Sequence, residues 1–191
     1  MALNERGSQS LPIEPGISIP FRWPLAIGLG AAIVALSARL AVPLPFTPVP
    51  LSLEDLAVLL VGGFLGATAG SGAMILYLSL GALGAPVFAL GTGGITRLLG
   101  PSGGYLLAFP VAATAVARIA VRGNLARCLA AALVGTMLIH AGGLAQLMVL
   151  GQSLKHALAL GTLPFLLQDL LKTVIAALIL TAGAATLRPR A

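Results

Sequence analysis

Charged side chains are scarce in this chain of 191 residues: Lys, Arg, Asp and Glu make up 8% of it, whereas 58% is hydrophobic. A soluble domain usually carries about 25% charged residues, because its surface must be solvated by water. The scarcity of charge excludes a soluble globular protein, a disordered chain and a fibrous repeat. The solvent is therefore a lipid bilayer, and the 24 glycines suit helices that pack closely within lipid.

Cysteine and several functional motifs are also missing or nearly so. Cys128 is the single cysteine, so no internal disulfide and no cysteine metal cluster can form. Neither histidine has a His, Cys or carboxylate at metal-ligand spacing, which predicts no metal. The chain has no nucleotide-binding loop or nucleophile elbow, so it does not hydrolyse ATP by itself. Its 11 basic residues against 5 acidic ones do not alternate with aromatic residues, which argues against a nucleic-acid partner.

Apolar segments between clusters of Pro, Gly and charged residues predict six membrane-spanning helices, each needing about 20 residues. The predicted spans are residues 23–41, 53–66, 68–84, 104–121, 125–150 and 163–187. The second and third are separated only by residues 66–70, so an alternative with five spans remains open. The predicted fold class is an all-α integral membrane bundle, with a flexible cytoplasmic tail at 1–20 and a single six-helix transmembrane domain at 21–191. The tail is polar and does not resemble a signal peptide.

The basic residues predict how the bundle is oriented. Cytoplasmic loops of membrane proteins carry an excess of Lys and Arg. With the N-terminus inside, the external side holds Arg39, Arg97 and Lys155. Seven basic residues are then cytoplasmic: Arg6, Arg22, Arg118, Arg122, Arg127, Arg188 and Arg190. Both termini are therefore predicted to be cytoplasmic.

Two predicted external loops have unusual compositions. Residues 42–50 contain four prolines; the segment cannot be helical, and we expect it to run extended along the outer surface. Residues 85–103, between the third and fourth helices, form a long, glycine-rich and apolar loop. A loop of this length in a compact fold is usually functional, which indicates a lid folded over a pocket. A plain linker is the alternative.

Ionisable residues within a span or an apolar loop require a reason. Asp169 and Lys172 are three residues apart and share one face of the sixth span; they form either a mutual ion pair or a polar ligand site. Arg97 is the only charge in the glycine-rich loop and could bind a carboxylate with both arms of its guanidinium, or it could simply be solvated. Glu54 and Asp55 open the second span, where Ser52 could cap the helix and acidic residues suit the helix dipole. A ligand role for Glu54 is the alternative.

Three further features are weaker. His140 lies in the middle of a span, and His156 is expected in a loop beside Lys155. The first span carries two pairs of small residues at a spacing of four, which allow a second helix to approach closely: Gly28 with Ala32, and Ala31 with Ala35. This face could dock a partner protein or pack within the same chain.

Three segments resemble the BioY family, the biotin-binding S components of energy-coupling factor transporters. Residues 47–57 (Thr-Pro-Val-Pro-Leu-Ser-Leu-Glu-Asp-Leu-Ala) resemble an early BioY segment. Residues 80–88, followed by Gly-Pro-Ser-Gly-Gly-Tyr at 100–105, resemble the central signature, and residues 164–172 resemble the C-terminal one. The resemblance extends over residues 23–187. It has two departures: Glu54 stands where a glutamine is expected, and Leu90, Thr92 and Thr96 interrupt the loop glycines.

The resemblance implies a six-helix protein of the prokaryotic plasma membrane that binds biotin near the outer surface for uptake. It also implies a transmembrane coupling protein, contacted by the small-residue face of the first helix, and two ATP-binding cassette ATPases. Only those ATPases would use ATP, and the chain itself would be neither an enzyme nor a cofactor protein. In this interpretation Arg97 holds the biotin carboxylate, Asp169 and Lys172 bind the ureido ring, and Phe88 and Tyr105 form an apolar wall. Glu54 completes the predicted set.

Three other functions remain open at this point. An S component for another vitamin, such as thiamine or riboflavin, would keep the fold and change the ligand. An intramembrane enzyme could use Asp169 and His140, but no nucleophile lies in a plausible motif near either residue. A purely structural assembly subunit would not explain an Asp–Lys pair within a span.

Overall fold

The computed structural model describes residues 22–120 and 124–186, which are mostly helical. The helices are α1 (Arg22–Ala38), α2 (Glu54–Ala82), α3 (Ile95–Leu99), α4 (Gly103–Ile119), α5 (Leu125–Val149), α6 (Leu154–Gly161) and α7 (Leu166–Thr186). Two 3-10 turns lie at Ala89–Gly91 and Leu163–Phe165. The predicted tail at 1–20 lies outside the described residues, as do Arg6, Arg122, Arg188 and Arg190.

Helix α2 contains a sharp reversal at Gly66. This residue has φ 79° and ψ 175°, a conformation that favours glycine because it lacks a Cβ. A Cβ on Gly70 would lie 3.0 Å from Cα of Gly62, a distance that a straight helix could not produce between residues eight apart. The two halves of α2 therefore fold back on each other without a connecting loop. They correspond to the second and third predicted spans, so the alternative with five spans is wrong.

Counted with the halves of α2 apart, the described residues contain the six predicted helices. Taken as continuous stretches, three are long and apolar enough to cross a membrane by length and composition: Leu125–Val149, Leu154–Ala184 and Glu54–Ala82. The last of these reverses at Gly66, and Leu154–Ala184 joins α6 to α7. Helices α1 and α4, with 17 residues each, are shorter but also apolar. Large apolar side chains remain exposed on the outer faces, including Leu167 on α7 at 84% exposure. A surface of this kind suits lipid rather than water.

The proline-rich segment is not helical, as predicted, but its path differs from the expected one. Strands β1 (Ala41–Val42) and β2 (Leu51–Ser52) pair antiparallel, so the segment folds back as a hairpin instead of running along the surface. The buried hydroxyl of Thr47 donates a hydrogen bond to the carbonyl of Leu160 at 2.6 Å. This contact ties the hairpin to α6.

The glycine-rich segment between α2 and α4 is also ordered. It contains the 3-10 turn Ala89–Gly91 and helix α3, and it packs Phe88 (0% exposed) and Leu98 (7%) into the core. Arg39, directly after α1, donates from Nη2 to the carbonyl of Pro86 at 2.7 Å. A plain linker would not bury an aromatic ring, so this segment is part of the bundle. Its role as a lid stays a prediction.

Two local predictions were wrong. Lys155 and His156 lie on α6 rather than in a loop, with Ser153 as the N-cap residue that accepts from the backbone N–H of His156. Ser52 is not the N-cap residue of α2. The backbone N–H of Glu54 does reach Ser52 Oγ at 3.4 Å, but the N-cap is Leu53, which makes no side-chain capping bond.

The small residues of α1 divide between two faces. Ala31 is 4% exposed and belongs to the hydrophobic core, and Ala35 packs against that core. Ala32 is exposed, and a Cβ added to Gly28 would meet nothing within 4 Å. Only Gly28 and Ala32 therefore remain available to a partner, whereas Ala31 and Ala35 pack within the chain. The partner role itself stays a prediction.

Candidate functional site

A partly open cavity lies where the proline hairpin and the glycine-rich segment meet α2, α4, α5 and α7. Every residue that the sequence analysis assigned to the ligand lines this one cavity: Glu54, Phe88, Arg97, Tyr105, Asp169 and Lys172. These residues come from five separate parts of the chain. The structure therefore brings the predicted set together, although their roles in binding stay predictions.

The polar end of the cavity is built around Lys172. Its Nζ lies 2.9 Å from Oδ2 of Asp55, 3.1 Å from Oδ1 of Asp169 and 2.6 Å from the carbonyl oxygen of Ser52. The side chains of Lys172 and Asp169 are 8% and 7% exposed, and that of Asp55 is 20% exposed. An ammonium group has three N–H donors, so these acceptors already occupy all of them. The carboxylate oxygens retain unused lone pairs and are better placed to receive a ligand.

Sequence reasoning missed Asp55 as a member of this cluster. It was noted only as an acidic residue in the first turn of a helix, where the dipole explains it. In the structure, Asp55 Oδ1 and Oδ2 lie 3.0 Å and 2.9 Å from Lys172 Nζ. The sequence did carry a signal, namely a second acidic residue directly after Glu54. Consecutive residues of a helix point in different directions, so Glu54 and Asp55 were to be expected to contact different groups.

His140 is the second residue that sequence reasoning undervalued. Its Nε2 lies 2.8 Å from Oδ2 of Asp169, and its Nδ1 lies 3.4 Å from Oγ1 of Thr162. The imidazole ring also stands edge-on to Tyr105, with ring centroids 6.0 Å apart. A histidine in the middle of an apolar span was the signal, because such a polar group needs a buried partner.

Glu54 and Arg97 occupy a different part of the cavity wall. Glu54 is only 4% exposed, and its Oε1 has no hydrogen-bond partner among the described residues. The hydroxyl oxygen of Tyr77 is likewise buried and has no hydrogen-bond partner among the described residues. Arg97, on α3, attracts Glu54 electrostatically, but no hydrogen bond or ion pair holds its guanidinium within residues 22–120 and 124–186. Its donors are therefore available to an anionic ligand.

Aromatic rings supply the apolar wall. Phe88 is fully buried and packs edge-on against Tyr77, with centroids 5.4 Å apart. Tyr105 donates its hydroxyl to the carbonyl of Gly161 at 2.7 Å, which fixes its ring. Phe109 and Phe165 extend the same wall. The cavity thus combines a fixed apolar surface with a few convergent polar groups, the usual design of a small-molecule site.

The arrangement suits reversible binding of a small molecule that carries an acid at one end and N–H groups at the other. No group of three or more His, Cys, Asp or Glu side chains is placed to hold a metal ion in the part of the chain that is described. A helical, multi-pass membrane bundle with a cavity of this kind defines a membrane protein that binds a small ligand.

Comparison with known proteins shows to which family this ligand-binding membrane protein belongs. The family model for the BioY family matches residues 17–189, so the chain belongs to the BioY family. The biotin transporter BioY of Thermotoga maritima is 37% identical over 159 residues, covering 83% of this chain and 93% of that protein. The probable biotin transporter BioY of Pyrococcus horikoshii is 38% identical over 156 residues, covering 80% and 90% of the two chains. These relatives are named as transporters rather than enzymes.

A solved structure shares the fold. The crystal structure of the S-component for biotin from an ECF-type ABC transporter superposes with a TM-score of 0.77 and 24% sequence identity. The match covers 86% of this chain and 91% of the other. At this identity the likeness establishes the helical arrangement of an S component, whereas family membership is established by the sequence comparisons.

Proposed function

We propose that this protein binds biotin with high affinity and takes it up as the S component of an energy-coupling factor transporter. The observation that carries the proposal is the cavity, in which three features face one space: a guanidinium with no side-chain partner among the described residues, a carboxylate cluster and an aromatic wall. Family membership supports the same ligand, since the relatives compared above are biotin transporters. Biotin is the ligand, no cofactor is needed, and the partner ATPases supply the energy.

The chemistry of biotin matches the groups in the cavity. Its carboxylate is expected to pair with Arg97, because a guanidinium binds carboxylates with two parallel hydrogen bonds. Its ureido N–H groups are expected to donate to Asp169 and to Asp55, whose oxygens keep free lone pairs. Lys172 already serves three acceptors, so it reaches the ureido carbonyl only by giving up one of them. The thiophane ring and the side chain of biotin would lie against Phe88 and Tyr105.

Glu54 has a separate role in this proposal. Its buried oxygen lacks a partner, and a ligand donor that reached it would remove the cost of leaving a polar atom unsatisfied. Arg97 attracts the Glu54 carboxyl electrostatically. We therefore place Glu54 beside the bound ligand.

The proposed orientation has both termini in the cytoplasm of a prokaryotic cell and the cavity facing outwards. It follows from the excess of basic residues on one side. Native Cys128 is 1% exposed, so new cysteines can report on topology once it is replaced by alanine. Lys155→Cys should react with a membrane-impermeant maleimide in intact cells, whereas Arg118→Cys should react only after lysis. The opposite pattern would reverse the orientation.

The proposed partners are a transmembrane coupling protein and two ATP-binding cassette ATPases. The half-buried Gly28 and the exposed Ala32 on α1 offer a surface that a second helix could approach closely. The remaining outer surface contacts membrane lipid. Uptake of labelled biotin by cells that lack their own biotin transport, with and without a co-expressed coupling module, tests the dependence on these partners.

Calorimetric titration of the purified protein tests the ligand. We expect biotin to bind, and thiamine and riboflavin not to compete. Asp169→Asn should weaken biotin binding by about tenfold or more, because a hydrogen bond to a charged group contributes roughly 1.5–3 kcal/mol. Thermal unfolding of each variant shows whether it is folded. Binding of thiamine or riboflavin in preference to biotin would show that the ligand is another vitamin. No vitamin binding at all would overturn the proposal.

A further inference from the structure

The contact between His140 on α5 and Asp169 on α7 joins two helices at the polar end of the cavity. We propose that His140 is a positioning residue for ligand recognition. It holds the Asp169 carboxylate at the angle from which that carboxylate accepts N–H groups of the ligand. This inference rests on the proposed function for its ligand, but the contact itself can be tested without any ligand.

The hydrogen-bonding pattern determines which atom of the imidazole carries a proton. An ionised carboxylate only accepts hydrogen bonds, so the 2.8 Å contact requires a proton on Nε2 of His140. The other ring nitrogen, Nδ1, lies 3.4 Å from Oγ1 of Thr162, whose hydroxyl can donate to it. The ring edge packs at 81° against Tyr105, which is itself tied to Gly161. The ring is therefore held from three sides.

Because of the same contact, the two carboxylate oxygens of Asp169 accept from different donors. Oδ1 accepts from Lys172 at 3.1 Å and Oδ2 accepts from His140 at 2.8 Å. Thr173 donates its hydroxyl to the Asp169 backbone carbonyl at 2.7 Å. This bond holds the backbone of Asp169 but not its carboxylate, which can still rotate. Without His140, rotation of the carboxylate would let Lys172 engage both oxygens. The lone pairs of Asp169 that remain for a ligand would then no longer point towards the N–H groups of the ligand.

Positioning of this kind predicts a selective loss of recognition. His140→Leu should weaken biotin binding by about 10- to 100-fold, the range expected for a lost hydrogen bond to a charged group. It should also reduce the preference for biotin over an analogue methylated on the ureido nitrogens. The preference for biotin over biotin amide should not change, because Arg97 recognises the carboxylate, the group by which these two ligands differ. A merely structural defect would weaken all three ligands equally.

Two further variants sharpen this measurement. His140→Gln should recover most of the affinity, since the glutamine amide can donate to Asp169 from a similar distance. His156→Leu is the matched control, because His156 is exposed on α6 and does not line the cavity. In a double-mutant cycle, the losses from His140→Leu and Asp169→Asn should be less than additive, as expected for residues that act through one contact.

Nitrogen NMR of the histidine side chains tests the contact in the ligand-free protein. The chain has two histidines, so His156→Gln leaves His140 as a single labelled signal. We expect Nε2 of His140 to be protonated, and an unprotonated Nε2 would overturn the inference. An unchanged affinity of His140→Leu, or an equal loss for biotin and both analogues, would overturn it as well. If the parent protein bound no biotin, the proposed function would fail, and the NMR result would still decide whether His140 holds Asp169.

Discussion

Replacing Lys172 by methionine removes the cation that holds two carboxylates together inside the bundle. Asp55 on α2 and Asp169 on α7 lie 2.9 Å and 3.1 Å from the same Nζ atom. Methionine keeps most of the apolar length of the lysine side chain, so the substitution changes charge more than volume. Both carboxylates would then face each other with no cation between them, and the carbonyl of Ser52 would lose its donor as well.

The expected cost follows from the burial of these groups. Removal of one partner from a buried ion pair typically costs about 3–5 kcal/mol, because a buried charge is left uncompensated. The Asp55 side chain keeps 20% exposure, which lets water relieve part of that cost. We therefore expect the free energy of unfolding to fall by about 3 kcal/mol, the lower end of the range. Adding Asp55→Asn and Asp169→Asn should restore much of this loss, since neutral amides do not repel each other.

Unfolding by titration with sodium dodecyl sulfate in mixed micelles measures this difference. Lys155→Met is the matched control, because it removes the other lysine of the chain from an exposed position on α6. We expect the control to unfold as the parent protein does. The reasoning is refuted if Lys172→Met and Lys155→Met have the same midpoint, or if neutralising both carboxylates fails to restore stability.

Three other substitutions test the ligand, the packing and the partner surface. Arg97→Ala should lower the affinity for biotin and make biotin and biotin amide bind about equally, as measured by calorimetry. Gly104→Ala should destabilise the bundle by about 1–3 kcal/mol, because the new Cβ would collide with the backbone carbonyl oxygen of Gly142 on α5; the assay is unfolding in mixed micelles. Ala32→Leu should reduce co-purification with the coupling protein and leave biotin affinity unchanged.

Each of these substitutions has a control of the same residue type. Arg118→Ala removes an exposed arginine outside the cavity and should leave the biotin preference intact. Gly28→Ala adds a Cβ that meets nothing within 4 Å, so it should not destabilise the protein. Ala141→Leu enlarges an exposed alanine on α5 and should leave the complex intact. An unchanged affinity ratio in Arg97→Ala would show that another group recognises the carboxylate, and equal stability of the two glycine variants would contradict the tight packing of α4 and α5.

The predicted helices were recovered well because their signal is local. A run of apolar residues between prolines, glycines and charges defines a helix whatever its neighbours are, and the reversal at Gly66 could be located from the glycines around it. The segment between residues 150 and 163 was predicted less well, whereas the span at 163–187 agrees with the structure. Helix α6 was missed because its eight residues are too few to cross a membrane and they include Lys155 and His156. Hydropathy over a window of about 20 residues does not resolve a helix of that length.

The candidate site was predicted only in part, and the omissions share one cause. Arg97, Asp169 and Lys172 stood out because a charge in an apolar segment requires an explanation. Asp55 did not, because the helix dipole offered an ordinary explanation for an acidic residue in the first turn. His140 did not, because its partner lies 29 residues further along the chain. Local patterns cannot show a partner that the fold supplies.

The sequence by itself determined the solvent, the helices and a short list of residues able to bind a ligand. All three follow from hydrophobicity, from helix periodicity and from the cost of placing charge in lipid, which act on each segment separately. Only the tertiary structure decided that Lys172 already serves three acceptors, that His140 contacts Asp169, and that the small residues of α1 split between the core and the surface. These outcomes depend on how each helix is rotated about its axis, and that rotation is set by packing against the other helices.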